Sequence, residues 1–144
     1  MIKFAFEKSS GPIKSLIKFW DVGPYCHVEC ILDENEDGTY NIASSKQGQG
    51  VRILTNQILD PSNWDIIRCE KGDKEKARQW FNLHNGESYY YAGLFGFVFR
   101  PIFQGSKTKW FCSEACCTAA FGMEQAWRVS PNCMYDIIEV LNTN

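Results

Sequence analysis

The sequence lacks both a long apolar run and a strong charge imbalance. It contains no run of about 18 apolar residues, so no transmembrane helix and no integral membrane association are expected. The formal net charge is −2, which does not indicate nucleic acid as a partner. The N-terminal segment MIKFAFEKSS also lacks the apolar centre and small-residue cleavage site of a signal peptide. These absences predict a cytoplasmic chain.

Ligands for a metal are also scarce. The chain has only two histidines, and it has no C-x-x-C pair. Cys26 and Cys30 lie on one predicted strand with their Cα atoms about 13 Å apart, too far to share one zinc ion. Cys112 and Cys116 could share a helix face, but even with His27 they supply too few ligands for a structural zinc site. We expect no metal and no organic cofactor.

Seven cysteines cannot all pair with one another. A complete set of disulfides would leave one thiol over, and a chain without an export signal is expected in a reducing compartment. We therefore expect free thiols, most of them serving as small core residues.

Turn signals divide the chain into strands and helices of one predicted domain, residues 1–144. The segment ENEDG (Glu34–Gly38) predicts a hairpin turn, and Asp73 is a suitable N-cap for a helix. Strands are predicted at 25–32, 39–44, 51–54, 64–69 and 134–141, and helices at 73–84 and 112–121. A mainly antiparallel sheet with helices on one side is an α+β fold.

Two segments are ambiguous. The basic and apolar segment IKSLIKFW, residues 13–20, could touch a membrane or line a substrate groove, but a core-facing amphipathic segment is the interpretation we favour. The aromatic, glycine-punctuated segment 87–103 gives no clear secondary structure.

The strand YCHVECIL places a histidine beside a carboxylate. Strand alternation puts Cys26, Val28, Cys30 and Leu32 on a core face and Tyr25, His27, Glu29 and Ile31 on the other face. A carboxylate about 7 Å away along the strand can orient an imidazole and raise its pKa. The alternative is an exposed face with an incidental His and Glu. His84, near a predicted helix C-terminus, is interpreted as structural.

Cys112 begins the second predicted helix, in the stretch WFCSEACC. Free backbone N–H groups and the helix dipole stabilise an anion there, so a thiolate at this position is a candidate nucleophile. Cys116 and Cys117 lie a turn inside the helix, among alanines, and are expected in the core.

Four motifs, in order, resemble a known family. PYCHVE, IASSKQGQGVR, NGESYYYAGL and WFCSEAC resemble the circularly permuted branch of the NlpC/P60 papain-like hydrolases, the YiiX/YaeF-like group related to the lecithin:retinol acyltransferase-like proteins. The resemblance extends from Tyr25 to Phe121. It implies a permuted papain-like fold in which the histidine strand precedes the cysteine helix.

By position, the resemblance implies Cys112 as nucleophile and His27 as base. The strand after the hairpin, NIAS, offers neither the carboxylate nor the histidine that many relatives use to orient the base, so Glu29 is the predicted third residue, with Asn41 and Ser44 as alternatives. Tyr89 matches a tyrosine near the oxyanion site, and Tyr25, Asn41 and Ser44 are further candidates for lining the oxyanion or substrate site. Two neighbours depart from the family pattern: Tyr90 replaces a common Asp, and Cys26 a Ser.

The implied activity is thiol hydrolysis of an amide through a thioacyl-enzyme. A small peptide or amino-acid amide, including cell-wall peptide, is the expected substrate class. A lipid esterase or acyltransferase with a lipid-like acyl substrate would use the same Cys-His pair. A catalytically inactive binding module is the third alternative, and the intact pair argues against it.

Overall fold

We describe the protein from a computed structural model. The structure describes residues 1–8, 23–89 and 109–143. The segment 13–20, Tyr90 and the aromatic segment beyond Tyr89 lie outside these residues, so the expectations for them are not addressed below.

The described residues form an α+β structure, which confirms the predicted class. The strands are β1 (Ile2–Lys8), β2 (Tyr25–Glu34), β3 (Tyr40–Lys46), β4 (Gly50–Gln57), β5 (Trp64–Cys69), β6 (Ser88–Tyr89) and β7 (Lys109–Trp110). The helices are α1 (Lys74–His84), α2 (Cys112–Phe121) and α3 (Pro131–Thr143), with a 3₁₀ turn at Ala126–Arg128. The first five strands form an antiparallel sheet in the order β4-β3-β2-β1-β5. Among the helices of the described residues, none is long and apolar enough to cross a bilayer.

Local chemistry explains several element boundaries. The Asp73 side chain accepts hydrogen bonds from the N–H groups of Glu75 and Lys76, as expected for the N-cap of α1. Helix α2 ends at Gly122, whose φ of 68° is left-handed. The β2–β3 hairpin turns through Gly38, also with positive φ. These boundaries agree with the sequence predictions.

The predicted strand at 134–141 is wrong, because this segment is part of α3. Pro131 occupies the first helical position, where its missing N–H costs nothing. Met134 and Ile138 are fully buried, whereas Ile137 and Val140 are exposed. This spacing is helical, and the β-branched residues that suggested a strand lie largely on the solvent side.

The sheet is covered on both faces. The larger cluster combines Phe4, Phe6 and Val28 with side chains of all three helices of the described residues, including Ala115 and Met134. The smaller cluster on the other face contains Ala5, Ile31, Ile42 and Leu59. Both faces of β2 are therefore buried, and neither is the exposed polar face that one interpretation of the sequence allowed.

A β-bulge at the start of β2 changes which side chains face the helices. His27 pairs with Glu7 but Tyr25 pairs with Lys8, so β2 carries one extra residue, Cys26. Tyr25 consequently packs into the larger cluster and not beside His27, and Cys26 is only half-buried. The predicted positions of Tyr25 and Cys26 are wrong for this reason.

Helix α2 enters where β2 and β3 separate. Their ladder begins at Cys30 and Ala43, and at the preceding positions the Ser44 hydroxyl donates to the Val28 carbonyl at 2.7 Å. The Ser45 hydroxyl donates to the Trp110 carbonyl at 2.6 Å. The first bond bridges β3 and β2, and the second holds the segment before α2 beside β3.

We predict that Gly50→Ala destabilises the fold more than Gly48→Ala. Both glycines have positive φ, of 72° and 79°, so each substitution carries a left-handed strain of about 1–2 kcal/mol. Only at Gly50 would the new Cβ meet the Glu87 carbonyl oxygen, at 2.1 Å. This oxygen accepts the Val51 N–H, so the clash should add about 1–3 kcal/mol. Urea unfolding measures the difference, and equal losses for the two variants would contradict it.

Candidate active site

Glu29 is a carboxylate at the centre of a buried set of charges. Its residue is 1% exposed. The Nε2–H of His27 donates to Oε1 at 2.7 Å, and the guanidinium of Arg52 donates to Oε1 at 2.6 Å and to Oε2 at 3.2 Å. Both carboxylate oxygens are therefore satisfied by cationic partners. The predicted pairing of His27 with Glu29 is confirmed.

Arg52 is the member of this set that the sequence prediction missed. It lies on β4 and reaches Glu29 across β3. Its Nε donates to the Gln49 side-chain oxygen at 2.7 Å, so the guanidinium is fixed from both sides. The available signal was a charged residue directly after Gly50-Val51 in an apolar strand, which the motif Gly-Val-Arg contained without suggesting a role.

Cys112 meets the imidazole of His27. The thiol is the first residue of α2, and it hydrogen-bonds the ring. Because Nε2 is occupied by Glu29, the other ring nitrogen is the one available to the sulfur. Burial alone would lower the pKa of His27, but the charges of Glu29 and Cys112 outweigh it and raise this pKa to about 10. The protonated imidazole is thus favoured beside Cys112.

The same partners keep Glu29 ionised. Burial by itself raises the pKa of a carboxyl group, but the charge of His27 and the hydrogen bonds from His27 and Arg52 reverse this effect and lower the pKa of Glu29 below its usual value. The buried charges therefore alternate in sign from Arg52 through Glu29 to His27.

The alternative orienting residues lie elsewhere. The Asn41 side chain lies toward the turn of the β2–β3 hairpin. Its Nδ2 donates to Asp33 at 3.3 Å, and its Oδ1 accepts the Asn56 N–H at 3.1 Å. The Ser44 hydroxyl is bonded to the Val28 carbonyl. Glu29 is the residue of the three that contacts the imidazole.

The two tyrosines proposed for the site differ in position. The Tyr25 hydroxyl donates to Asp65 at 2.8 Å, and burial together with Asp65 and Tyr135 raises the pKa of Tyr25, so it is a neutral structural group. Tyr89 pairs with Trp110 in the parallel β6–β7 ladder, which places it beside the segment that leads into Cys112.

The other thiols have different surroundings. All seven are free. Burial raises the pKa of Cys30 and Cys117 well above the ordinary value, and Cys116 is fully buried beside the Val28 carbonyl. These are core residues, as expected for Cys116 and Cys117. Within residues 1–8, 23–89 and 109–143, no group of three or more His, Cys, Asp or Glu side chains is arranged to hold a metal ion.

His84 belongs to an aromatic cluster at the end of α1. Its ring stacks on Trp80 with centroids 4.2 Å apart and meets the edge of Trp110. It also forms an ion pair with Glu87 at 3.1 Å, although this contact lacks hydrogen-bond geometry. These contacts agree with a structural role.

Glu114 is a second buried carboxyl group near the nucleophile. It is 3% exposed, and its Oε2 accepts the Phe111 N–H at 3.4 Å, so it closes the first turn of α2. Burial raises the pKa of Glu114 to about 7, and the bond from Phe111 opposes this shift only in part.

A small open cleft includes Gln49, the hydrogen-bond partner of Arg52. It has a volume of about 230 Å³ and lies between the β3–β4 turn and the segment 86–89, with Gln49, Glu87 and Tyr89 among its walls. Gln49 connects this cleft to Arg52, and Tyr89 connects it to the strand before Cys112. A larger cavity of about 430 Å³ lies between β5 and α3. Cys112, His27 and Glu29 line neither cavity.

Comparison with known proteins adds no relative. No family model, no curated protein and no solved structure matches this chain. The geometry of the site brings together a thiol at a helix N-terminus, an imidazole in contact with it, and a buried carboxylate bonded to the imidazole.

We predict that Cys112 is the most reactive of the seven thiols at neutral pH. It begins helix α2 and contacts the imidazole of His27, and both neighbours favour the nucleophilic form of a thiol. Limiting iodoacetamide followed by peptide mapping measures the labelling, with the exposed Cys133 as internal control. His27→Ala should abolish the preference. Preferential labelling of Cys133 or Cys26 would refute the assignment.

We also predict that the buried pair of His27 and Glu29 makes the stability of the fold depend on pH. A His pKa raised from 6.5 to about 10 contributes stability that is fully present below pH 6.5 and is lost as the pH rises toward 10. The lowered pKa of Glu29 has the opposite effect on stability. Its contribution is fully present above pH 4.5, the pKa of an unfolded Glu, and is lost as the pH falls below that value. Between pH 6.5 and 10 the thermal midpoint should fall more steeply for the wild type than for His27→Gln. Parallel curves would contradict the prediction.

Proposed function

We propose that this chain is a cysteine hydrolase that cleaves an amide bond through a thioacyl-enzyme. The observation that carries the proposal is the contact of Cys112 with His27, whose opposite ring nitrogen is bonded to the buried Glu29. A nucleophile, a base and an orienting group in that order are the components of activated thiol catalysis.

The family resemblance supports the same function. The permuted NlpC/P60 branch has its histidine strand before its cysteine helix, and here β2 precedes α2. We extend the proposal to a permuted papain-like fold, with an antiparallel sheet packed on the helix that starts at Cys112.

In the first half-reaction the Cys112 thiolate attacks the carbonyl carbon. The negative charge passes to the carbonyl oxygen, where the N–H groups at the start of α2 can stabilise it. Tyr89 is the proposed side-chain donor to the same oxygen. The imidazolium of His27 then gives its proton to the leaving amine as the C–N bond breaks.

In the second half-reaction neutral His27 takes a proton from water. The resulting hydroxide equivalent attacks the thioester carbon, the C–S bond breaks, and the thiolate leaves. The products are the carboxylic acid and the amine, and the thiolate–imidazolium pair is restored. Glu29 keeps its charge throughout and holds the tautomer in which Nε2 carries hydrogen.

We place the substrate in the cleft that Gln49, Glu87 and Tyr89 line, and this cleft favours a small polar molecule. Its volume of about 230 Å³ is below the roughly 300–1,000 Å³ of cavities that enclose drug-sized ligands. Its walls carry the amide of Gln49 and the carboxylate of Glu87. These groups suit a peptide or amino-acid amide better than a lipid acyl chain.

Intact-mass spectrometry after exposure to libraries of peptide amides and acyl esters tests the proposal. An acyl adduct on Cys112 that decays in water supports a hydrolase and identifies the acyl group. An adduct that decays only when an alcohol or amine acceptor is added indicates a transferase. No adduct from any class, with Cys112 still reactive to iodoacetamide, would overturn the proposal.

We predict that Glu29→Gln lowers kcat by about tenfold or more, whereas Asn41→Ala changes it little. Glu29 bonds the imidazole directly, and Asn41 bonds the hairpin turn. Steady-state kinetics on the substrate identified by mass spectrometry measure both variants. A large kcat effect of Asn41→Ala together with a small effect of Glu29→Gln would refute the assignment of the third residue.

A further inference from the structure

His27 cannot be the only counter-ion of Glu29 during turnover. In the proposed cycle, on which this inference rests, His27 becomes neutral when it protonates the leaving amine. Without a second cation, Glu29 would at that stage be an unpaired carboxylate with 1% exposure. Such a buried carboxylate strongly favours uptake of a proton. A protonated Glu29 could no longer hold His27 as a base.

Arg52 is placed to prevent this. Its guanidinium holds both oxygens of Glu29, it is itself 9% exposed, and an arginine side chain does not lose its proton in proteins. Its hydrogen bonds are to Glu29 and Gln49. We propose that Arg52 is a positioning residue whose fixed charge keeps Glu29 ionised throughout the cycle, so that His27 and not Glu29 carries the mobile proton.

Other titratable groups surround the set but do not supply this charge. Glu7 lies opposite His27 on β1 and carries the wrong sign. The Cys30 thiol interacts electrostatically with Glu29 and with Cys116, and ionised thiols would add further negative charge. Among the described residues that contact Glu29 through hydrogen bonds, Arg52 is the permanent cation.

The sign of the effect follows from charge alone. Loss of a buried cation makes every proton release from Glu29, His27 and Cys112 less favourable, whichever of the three holds the proton. The thiolate of the free protein should therefore form at higher pH, and the neutral base of the thioacyl-enzyme should do so as well. If Arg52 had only a structural role, its loss would lower the amount of folded protein but would not change the pH at which the thiolate or the neutral base forms.

Three variants test the proposal on the full chain. Arg52→Gln removes the charge, and Arg52→Lys keeps the charge but loses the two-pronged contact. Arg78→Gln is the matched control, since Arg78 also holds both oxygens of a β2 carboxylate, Asp33, at 2.8 and 3.1 Å. Circular dichroism establishes folding, and the rate of iodoacetamide labelling of Cys112 is measured against pH.

We expect Arg52→Gln to raise the midpoint of Cys112 labelling by about one pH unit or more. Arg52→Lys and Arg78→Gln should leave it close to that of the wild type. An unchanged midpoint in folded Arg52→Gln, or an equal rise in Arg52→Lys, would overturn the proposal. If Arg52→Gln does not fold, Arg52→Lys decides the question, because a midpoint moved by a unit in that variant excludes a role based on charge.

The acyl stage is tested with p-nitrophenyl acetate as a generic acetyl donor. The decay of acetyl-Cys112, followed by intact mass, should require higher pH in Arg52→Gln than in the wild type, and unchanged decay would count against the proposal. If Cys112 takes no acyl group from this ester or from any of the substrate libraries while the labelling midpoint still moves, the hydrolase function fails and the role of Arg52 in the free protein stands. If acetyl-Cys112 forms and decays but neither midpoint moves, the hydrolase function stands and the role of Arg52 fails.

Discussion

The buried carboxylate of Glu29 is the constraint on which the candidate site depends. Removing an ionised carboxylate from water is costly unless cations and hydrogen bonds replace the solvent. His27 supplies one cation from the same strand, and Arg52 supplies the other from β4, two strands away. The intervening strand carries Ser44 opposite Arg52, and this small residue leaves room for the guanidinium to cross.

The position of Cys112 depends on the point where β2 and β3 stop pairing. Where β2 and β3 separate, the Val28 carbonyl has no ladder partner on β3 and instead accepts the Ser44 hydroxyl, with the Cys116 sulfur nearby at 3.7 Å. Helix α2 packs closely against this gap through small residues such as Ala115 and Ala119, both of which are buried. Close packing of this kind leaves little freedom at the helix start, so Cys112 is presented to His27 by the body of the helix.

Environment distinguishes among thiols that are chemically identical. Cys30 and Cys117 lie in apolar surroundings, and burial raises their pKa. Cys112 is also buried, but it has the N–H groups of a helix start and an imidazole as neighbours. A charged form is stabilised only where such partners exist, which is why the reactive character is expected at one cysteine and not at its near neighbours.

Local features of the chain were predictable because they depend on residues close in sequence. The cap at Asp73, the helix beginning at Cys112 and the adjacency of His27 and Glu29 follow from capping preferences, turn signals and the two-residue period of a strand. The helical spacing of Met134 and Ile138, after Pro131, was also present in the sequence, but the β-branched residues Ile137, Ile138 and Val140 are typical of a strand.

The tertiary structure alone decided what crosses between elements. The bulge at Cys26 turned Tyr25 toward the helices, because one extra residue in β2 reverses the faces beyond it. The contact of Arg52 with Glu29 depends on the order of strands in the sheet. The sequence by itself determined which residues could act as nucleophile, base and carboxylate. Strand order and register decided that Arg52 is the cation that contacts Glu29. Order and register are set by packing between distant segments and not by local sequence pattern.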